Sequence, residues 1–268
     1  MKTRVISGAV LAAIGLITIW LGGPVLAAVL LFCSLVGMYE LQKACGVIRD
    51  GEKWPALSVA GFAGAAFYDL FLLLSGRRFA VVIAAFAVMA VMMVYVLTFP
   101  KYHADQAIAV CFSFFYVTVM LGFILLIRLE KEGLILVWLV FLSSWVADTC
   151  AYFVGRAVGR HKMAPVLSPK KTWEGAAGGI AGAGISGALF ALIFAEGRLV
   201  GECALICAVG AVISIFGDLA ASAVKRDRSI KDYGNLIPGH GGIMDRFDSV
   251  IFTAPVIYFL SLLLVSGI

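Results

Sequence analysis

Long apolar runs extend along almost the whole chain, separated by short segments that contain glycine, proline or charged residues. A run of about 20 apolar residues is long enough to cross a bilayer as one helix. The runs predict nine such helices, at roughly 5–21, 24–42, 55–75, 79–99, 106–127, 133–154, 175–195, 199–221 and 249–267. We therefore expect an all-α fold, that of a polytopic integral membrane protein with about nine transmembrane helices.

The composition also favours a membrane protein. Hydrophobic residues make up 62% of the 268 residues, charged residues only 14%, and the mean hydropathy is +1.03. Soluble domains are about half apolar and a quarter charged, so a water-soluble globule is excluded. The modest net charge of +5 argues against a nucleic-acid-binding protein, and the six cysteines contain no CxxC pair that would indicate a zinc or redox site.

The first apolar run resembles a secretory signal peptide, because it follows Lys2 and Arg4 and leads to small residues near position 27. However, apolar sequence resumes directly after Gly22-Gly23-Pro24 and continues to Met38. A retained helical hairpin with a tight turn explains this pattern better than cleavage does.

Basic residues are distributed unevenly between the predicted loops. If the amino terminus is cytoplasmic, 16 of the 21 Lys and Arg residues lie on the cytoplasmic side. The other five are Arg77, Arg78, Arg128, Lys131 and Arg198. Because basic loops stay on the cytoplasmic side, we expect a multi-pass protein of the cell inner (cytoplasmic) membrane, with its amino terminus inside and its carboxyl terminus outside.

Polar residues concentrate in the second half of the chain. Residues 1–140 are predicted to be scaffold helices, and residues 141–268 carry two polar cytoplasmic loops, at 156–174 and 218–248, within one integrated membrane domain. Glycines at small-xxx-small spacing over 175–187 predict close packing of one helix against others. Packing within the chain is favoured, and a homodimer interface remains an alternative. We expect the site to face the cytoplasm.

Three carboxylates in the second loop suggest a metal site. Asp218 ends an apolar run, and Asp245 and Asp248 are three residues apart, hence on one face if the segment is helical. Mg²⁺ binds carboxylates together with phosphate oxygens and water. The alternative is that the carboxylates only form ion pairs with Arg246, Lys225 or Arg226.

Glycines and basic residues next to these carboxylates suggest an anion site. The turn at 239–242 (Gly-His-Gly-Gly) brings backbone amides within reach of an anion. Lys170 and Lys171 are suited to phosphate groups, and Ser168 and Thr172 supply hydroxyls. The alternative for the lysines is an ordinary solvated loop.

Acidic residues also occur inside the apolar runs. Asp148 lies in a strongly apolar helix, and an acid at membrane depth is a functional candidate; a packing or ion-pair role is the alternative. Glu40, near a helix end beside Lys43, is expected to be structural, and Asp69 receives no role.

The motifs resemble those of a known family. The segment Ser222-x-Val-Lys-Arg-x4-Lys-Asp-x-Gly-x2-Ile-Pro-x-His-Gly-Gly-Ile-x-Asp-Arg-Phe-Asp248 is similar to the signature of the phosphatidate cytidylyltransferase (CDP-diacylglycerol synthase) family. The SPKKTWEG stretch from Ser168 and the Trp145-x2-Asp148-x3-Tyr152 stretch resemble the same family, in the same order. The likeness is specific over about 142–250 and general before that.

This resemblance implies a nucleotidyltransferase of phospholipid biosynthesis. Such an enzyme uses CTP and phosphatidic acid, in the lipid bilayer, to make CDP-diacylglycerol and pyrophosphate. Mg²⁺ is implied as the cofactor, and a second cation is an open alternative. No nucleic-acid partner is expected.

The loop chemistry and the resemblance together predict the site residues. The catalytic residues are expected to be Asp218, Asp245, Asp248, Lys225, Arg226 and His240. The residues expected to bind substrates are Ser168, Lys170, Lys171, Thr172, Ser222, Lys231, Asp232, Gly241, Gly242, Arg246 and Asp148. Asp218 and Asp245 are expected to hold the metal with Asp248 as a third or outer carboxylate, so that replacing Asp248 should have the milder effect.

Two other classes of protein fit less well. A CDP-alcohol phosphotransferase would begin its motif with Asp-Gly-x2-Ala-Arg, which this sequence lacks. A transporter or channel would bring ionisable groups from both halves of the chain to the middle of the membrane, whereas here they collect on one side after residue 140.

Overall fold

The structure is a computed structural model that describes residues 13–49, 51–237, 239 and 241–266. Helix α1 occupies residues 13–21 of this range. The helices that follow are α2 (Gly23–Ala44), α3 (Ala56–Ser75), α4 (Ala80–Leu97), α5 (Ala104–Leu129), α6 (Gly133–Val158), α7 (Trp173–Phe194), α8 (Val200–Asp227) and α9 (Met244–Val265). The fold is all-α and polytopic, as the apolar runs predict.

Seven helical stretches in the described residues are long and apolar enough to cross a membrane. Helices α3 and α4 count as one stretch of 42 residues, because only the 3₁₀ turn Gly76–Phe79 separates them. The predicted first helix, 5–21, begins outside the described residues. The expected count of about nine membrane crossings is therefore not confirmed, although a helix covers each predicted run within the described range.

The chain divides into two compact units. The first consists of the described residues up to Leu129 together with Arg228–Arg246, and the second consists of Glu130–Asp227 together with the residues from Phe247 onwards. The loop before α9 thus groups with the amino-terminal helices, whereas the sequence analysis placed its whole length with the carboxyl-terminal ones.

The helices of the first unit pack closely through small residues. A Cβ on Gly61 of α3 would lie 2.6 Å from the Val110 side chain of α5, so only a glycine fits there without a shift. Gln42 of α2 donates a hydrogen bond of 2.8 Å to Ser113 Oγ of α5. In the loop of this unit, an antiparallel bridge pairs Ile237 with Gly241.

The glycine-rich helix α7 forms the centre of the second unit. A Cβ on Gly182 would lie 2.5 Å from Cys150 Sγ of α6, and one on Gly187 would lie 2.8 Å from Cys207 Sγ of α8. The predicted close packing within the chain is thereby confirmed.

A short hairpin and a π turn shape the polar end of the second unit. Strands β1 (Lys162–Ala164) and β2 (Ser168–Thr172) pair antiparallel between α6 and α7. In α6, a π turn at Leu142–Val146 directly precedes the segment that begins at Ala147. Since a π turn adds a residue to the helical repeat, it sets which face of α6 presents Asp148.

Candidate active site

A cavity of about 400 Å³ lies in the second unit, next to the hairpin. Its volume is within the range of small-molecule sites. Helix α6 contributes Asp148, Tyr152 and Arg156, which follow one another at intervals of four residues and so share a face. The hairpin contributes Lys162, Lys170, Lys171 and Thr172. The cavity therefore presents four basic side chains and one carboxylate.

The hairpin is fixed at its base by Glu174, in the first turn of α7. The Glu174 carboxylate accepts hydrogen bonds from the backbone N–H groups of Arg160, at 3.1 Å, and His161, at 3.2 Å. The Nδ1 atom of His161 lies 2.6 Å from the same carboxylate. These contacts hold the segment that enters β1 against the start of α7.

Thr172 has a structural role in addition to lining the cavity. It is buried, and its hydroxyl oxygen accepts a hydrogen bond of 3.2 Å from the N–H of Gly175, which caps the start of α7. The sequence analysis expected this hydroxyl to serve a substrate.

Asp218 lies on α8 and pairs with the hairpin. Its Oδ2 atom is 2.5 Å from Lys171 Nζ, and both side chains are partly exposed. The ion-pair alternative in the sequence analysis named Lys225, Arg226 or Arg246, whereas the partner of Asp218 in the structure is Lys171.

Asp248 lies in α9 and is 8% exposed. Its carboxylate accepts a hydrogen bond of 2.7 Å from the N–H of Ser249. Asp218, Lys225 and Asp148 of the second unit are near enough to act electrostatically on this carboxylate. Within the described residues, however, no three His, Cys, Asp or Glu side chains stand at metal-ligand spacing.

These carboxylates have the chemistry that a magnesium ion requires. Oxygen is the donor type that Mg²⁺ prefers, and Mg²⁺ usually keeps water and substrate phosphate among its ligands, so a few protein oxygens suffice. A cation near Asp148, Asp218 and Asp248 would also relieve the repulsion between them. The donor type of these residues therefore suits this ion, although the described residues contain no ready-made group of three ligands.

A second cavity, of about 480 Å³, lies in the first unit. It is formed by the loop before α9 and the first turn of that helix. Its lining residues are Lys231, Asp232, Asn235, Ile237, Gly239, Gly241 and Arg246. Two cations and a glycine-containing turn around one cavity are suited to an anionic group.

Asp245 organises this loop. Its Oδ2 atom accepts hydrogen bonds from the backbone N–H groups of Tyr233, at 2.8 Å, and Gly242, at 3.0 Å. Gly241 has a φ of +86°, and a Cβ there would approach Asp245 Oδ2 to 2.9 Å, so a glycine is required on both counts. Asp245 thus holds backbone amides, a function that the sequence analysis did not foresee for this predicted metal ligand.

The predicted site residues fall into two groups. Those in the second unit are Asp148, Ser168, Lys170, Lys171, Thr172, Asp218, Ser222, Lys225, Arg226 and Asp248, and those in the first are Lys231, Asp232, Gly241, Gly242, Asp245 and Arg246. Eight of these residues do not line either cavity, namely Ser168, Asp218, Ser222, Lys225, Arg226, Gly242, Asp245 and Asp248. His240 lies outside the described residues.

The sequence analysis missed several lining residues. Tyr152, Arg156 and Lys162 line the cavity of the second unit, and Asn235 and Ile237 line that of the first. The four-residue spacing from Asp148 to Tyr152 to Arg156 was visible in the sequence and would have identified two of them.

Comparison with known proteins identifies the family of the chain. The profile of the Cytidylyltransferase family matches residues 2–264. The chain belongs to this family. The resemblance read from the sequence motifs is confirmed, and in this cytidylyltransferase the match also covers the first unit, where the motifs showed only a general likeness.

Individual members of the family are similar over long stretches. A phosphatidate cytidylyltransferase of Bacillus subtilis (strain 168) is 33% identical over 272 residues, which cover 97% of each chain. One of Staphylococcus epidermidis (strain ATCC 35984) is 35% identical over 214 residues, covering 78% of this chain and 72% of its own. One of Haemophilus influenzae is 38% identical over 175 residues, or 60% of each chain.

Proposed function

We propose that this membrane protein is an enzyme that transfers the cytidylyl group of CTP to phosphatidic acid, giving CDP-diacylglycerol and pyrophosphate. The observation that carries the proposal is the match along nearly the whole of a phosphatidate cytidylyltransferase of Bacillus subtilis. The polybasic cavity of the second unit supports it, because it presents four cations to a phosphate-bearing ligand in a membrane protein.

The reaction is an in-line displacement at phosphorus. An oxygen of the phosphatidate phosphate attacks the α-phosphorus of CTP, a new P–O bond forms, and the bond from the α-phosphorus to the bridging oxygen of the β-phosphate breaks. Pyrophosphate leaves with that oxygen. The attacking phosphate is already ionised near neutral pH, so the step needs no general base, and catalysis consists mainly of positioning and charge neutralisation.

The basic residues of the second unit would hold the nucleotide phosphates. Lys170 and Lys171 lie on β2, and Glu174 holds the segment that enters its partner strand β1. Arg156 and Lys162 complete the cationic lining. Since a rigid support keeps donors aimed at the phosphates, little reorganisation is needed when CTP binds.

The cavity of the first unit suits a second phosphate group. Lys231 and Arg246 line it, together with Gly239 and Gly241 of the glycine-containing turn. We propose that it receives the lipid phosphate or the departing pyrophosphate, two anions of the same chemical class. Lys225 and Arg226, in the last turn of α8, supply further cations in the second unit.

Magnesium is the proposed cofactor. Asp218 and Asp248, with Asp148, would hold it, because Asp148 lines the polybasic cavity, Asp218 contacts Lys171 of that lining, and both carboxylates act electrostatically on Asp248. When bound, the ion neutralises charge on the triphosphate and on the leaving pyrophosphate. We assign Asp245 the role of holding the loop before α9 in place of metal binding, since its Oδ2 atom already accepts two backbone hydrogen bonds.

The proposed membrane topology rests on the distribution of basic residues. If the nine predicted helices cross the membrane, 16 of the 21 Lys and Arg residues lie on one side. We propose that the protein lies in the inner membrane with that side, and the polar loops, facing the cytoplasm. CTP is a cytoplasmic metabolite, so this orientation gives the site access to it.

Labelled CTP tests the proposal. With purified protein, phosphatidic acid and Mg²⁺, label in the α-phosphate should enter the lipid fraction, and label in the γ-phosphate should appear in pyrophosphate. CTP and dCTP should serve and ATP should not. Transfer of γ-label to the lipid, or equal turnover with ATP, would contradict the proposed reaction.

A further inference from the structure

Glu40 joins helix α2 to the start of α9 inside the first unit. Its side chain is 3% exposed. Its carboxylate accepts hydrogen bonds from the backbone N–H groups of Ile243, at 3.1 Å, and Met244, at 2.9 Å, which are more than 200 residues away in sequence. The first N–H groups of a helix have no partner within the helix, and Glu40 supplies one from a different part of the chain.

Two glycines of the loop leave room for this carboxylate. A Cβ on Gly234 or on Gly242 would collide with Glu40 Oε1. Neither glycine has a positive φ, so the backbone conformation is not the reason that a glycine is needed at these positions. Close approach to Glu40 is the reason that a side chain is excluded at both positions.

The contacts of Glu40 and Asp245 together close the loop. Asp245 holds Tyr233 and Gly242, whereas Glu40 holds Ile243 and Met244. The segment between these ties carries much of the lining of the 480 Å³ cavity. Because a buried carboxylate that loses its partners is costly, the loop and Glu40 constrain each other.

We propose that Glu40 is a positioning residue of the phosphate cavity formed by the loop before α9. It does not line the cavity. It fixes the backbone at 242–244, and thereby the first turn of α9, which carries Arg246. This inference rests on the proposed function only for the identity of the ligand, since the ties themselves are contacts within the first unit.

Amide hydrogen exchange tests whether Glu40 holds the loop. In Glu40→Gln, one carboxylate oxygen becomes an amide nitrogen that cannot accept a hydrogen bond, so one of the two backbone N–H groups loses its partner. Exchange in a peptide covering 233–246 should become about tenfold faster or more, since a hydrogen bond to a charged group is among the stronger ones.

Gln42→Ala is the matched control. Gln42 lies in the same helix and is fully buried, and it also makes a hydrogen bond to a distant residue, Ser113. Its removal destabilises α2 without touching the loop. In Gln42→Ala, exchange over 233–246 should therefore remain close to that of the wild type, when each protein is measured at the same number of degrees below its own melting temperature.

Steady-state kinetics distinguish a role of Glu40 in positioning the loop from a general effect on the stability of the protein. In Glu40→Gln, the KM for CTP or for phosphatidic acid should rise by about fivefold or more, while kcat stays within about threefold, because the reacting groups are intact. Wild-type exchange over 233–246, unchanged KM values, or the same effects in Gln42→Ala would each overturn the proposal. If the wild-type protein has no cytidylyltransferase activity, the proposed function fails, and the exchange result alone decides whether Glu40 positions the loop.

Discussion

The Lys171 ammonium group lies 2.5 Å from the Asp218 carboxylate, joining β2 to α8 within the second unit. The side chains are 22% and 29% exposed, whereas the Lys171 Nζ atom itself is buried. Lys171 also lines the polybasic cavity of the second unit. In the proposed mechanism, each residue holds the other in position until a substrate phosphate or a cation displaces it.

Replacing Asp218 tests this interpretation. Asp218→Asn should lower kcat by about a hundredfold or more, because it removes an anionic ligand for the metal, and about 2.7 kcal/mol of transition-state stabilisation corresponds to that factor. The melting temperature in detergent should fall by only a few degrees. A variant that melts much earlier but keeps normal activity in its folded fraction would assign Asp218 to stability.

A double variant distinguishes ion pairing from metal binding. If Asp218 served only to hold Lys171, Lys171→Met combined with Asp218→Asn would be no worse than either single change. We expect the double variant to be more impaired than Lys171→Met alone by about the factor that Asp218→Asn shows in the wild type. Steady-state kinetics on the three variants give the answer.

The two carboxylates of α9 should differ in importance. Asp248 interacts with Asp218 and Asp148, so Asp248→Asn should lower kcat by about a hundredfold. Asp245→Asn should cost about tenfold or less, because an amide oxygen can still accept hydrogen bonds from Tyr233 and Gly242. Measured kcat values in the opposite order would favour the assignment made from the sequence, in which Asp245 is the metal ligand.

The sequence predicted most of the fold for a simple physical reason. A bilayer requires long apolar helices, and such runs are visible without any knowledge of packing. The turn between α3 and α4 shows what composition cannot predict. Only four residues separate these helices, and composition alone does not show whether the two helices cross the membrane once or twice. The family was visible because its signature residues are close together in the sequence.

The partners of the site residues were not predictable. Lys171 and Asp218 are 47 positions apart, and Glu40 and Met244 are 204 apart. Such pairs depend on how the helices pack. Glu40 is structural, as expected, but its partners are the backbone amides at the start of α9, which could not be predicted from its neighbour Lys43. The metal role of Asp245 stays a prediction, and its hydrogen bonds to the amides of Tyr233 and Gly242 could not be predicted because they depend on how the loop folds.

Removal of magnesium should abolish activity. With excess EDTA the purified protein should make no detectable CDP-diacylglycerol, and added Mg²⁺ should restore the rate, because the phosphate groups that meet in the reaction repel one another without a cation. Binding of Mg²⁺ by calorimetry should weaken in Asp218→Asn and remain in Gln42→Ala. Full activity in excess EDTA would exclude the proposed cofactor.

A side chain at position 234 would collide with Glu40, so substitutions at the two positions should have non-additive effects on the free energy of unfolding. Gly234→Ala should destabilise the protein by about 1–3 kcal/mol, since the new methyl group collides with the Glu40 carboxylate. In a Glu40→Ala background the collision is absent, so the same change should cost much less. Equal costs in both backgrounds, measured by thermal unfolding, would show that the two residues are not in contact.

The orientation in the membrane can be tested with reporter fusions. A periplasmic reporter fused after Ile268 should be active, and a cytoplasmic one inactive, if the amino terminus lies inside and the chain crosses the membrane nine times, as the sequence predicts. A reporter within the loop at 156–174 should show the reverse. A carboxyl terminus found inside would show that the number of crossings is even.

The most direct test of the account is the stoichiometry of the products made by the purified protein. With CTP, phosphatidic acid and Mg²⁺, mass spectrometry of the lipids and an enzymatic pyrophosphate assay should find one CDP-diacylglycerol for each pyrophosphate, and Asp248→Asn should lose both in parallel. Pyrophosphate without CDP-diacylglycerol, or no product from a folded wild-type protein, would contradict the proposal that this chain is a cytidylyl transferase acting on phosphatidic acid.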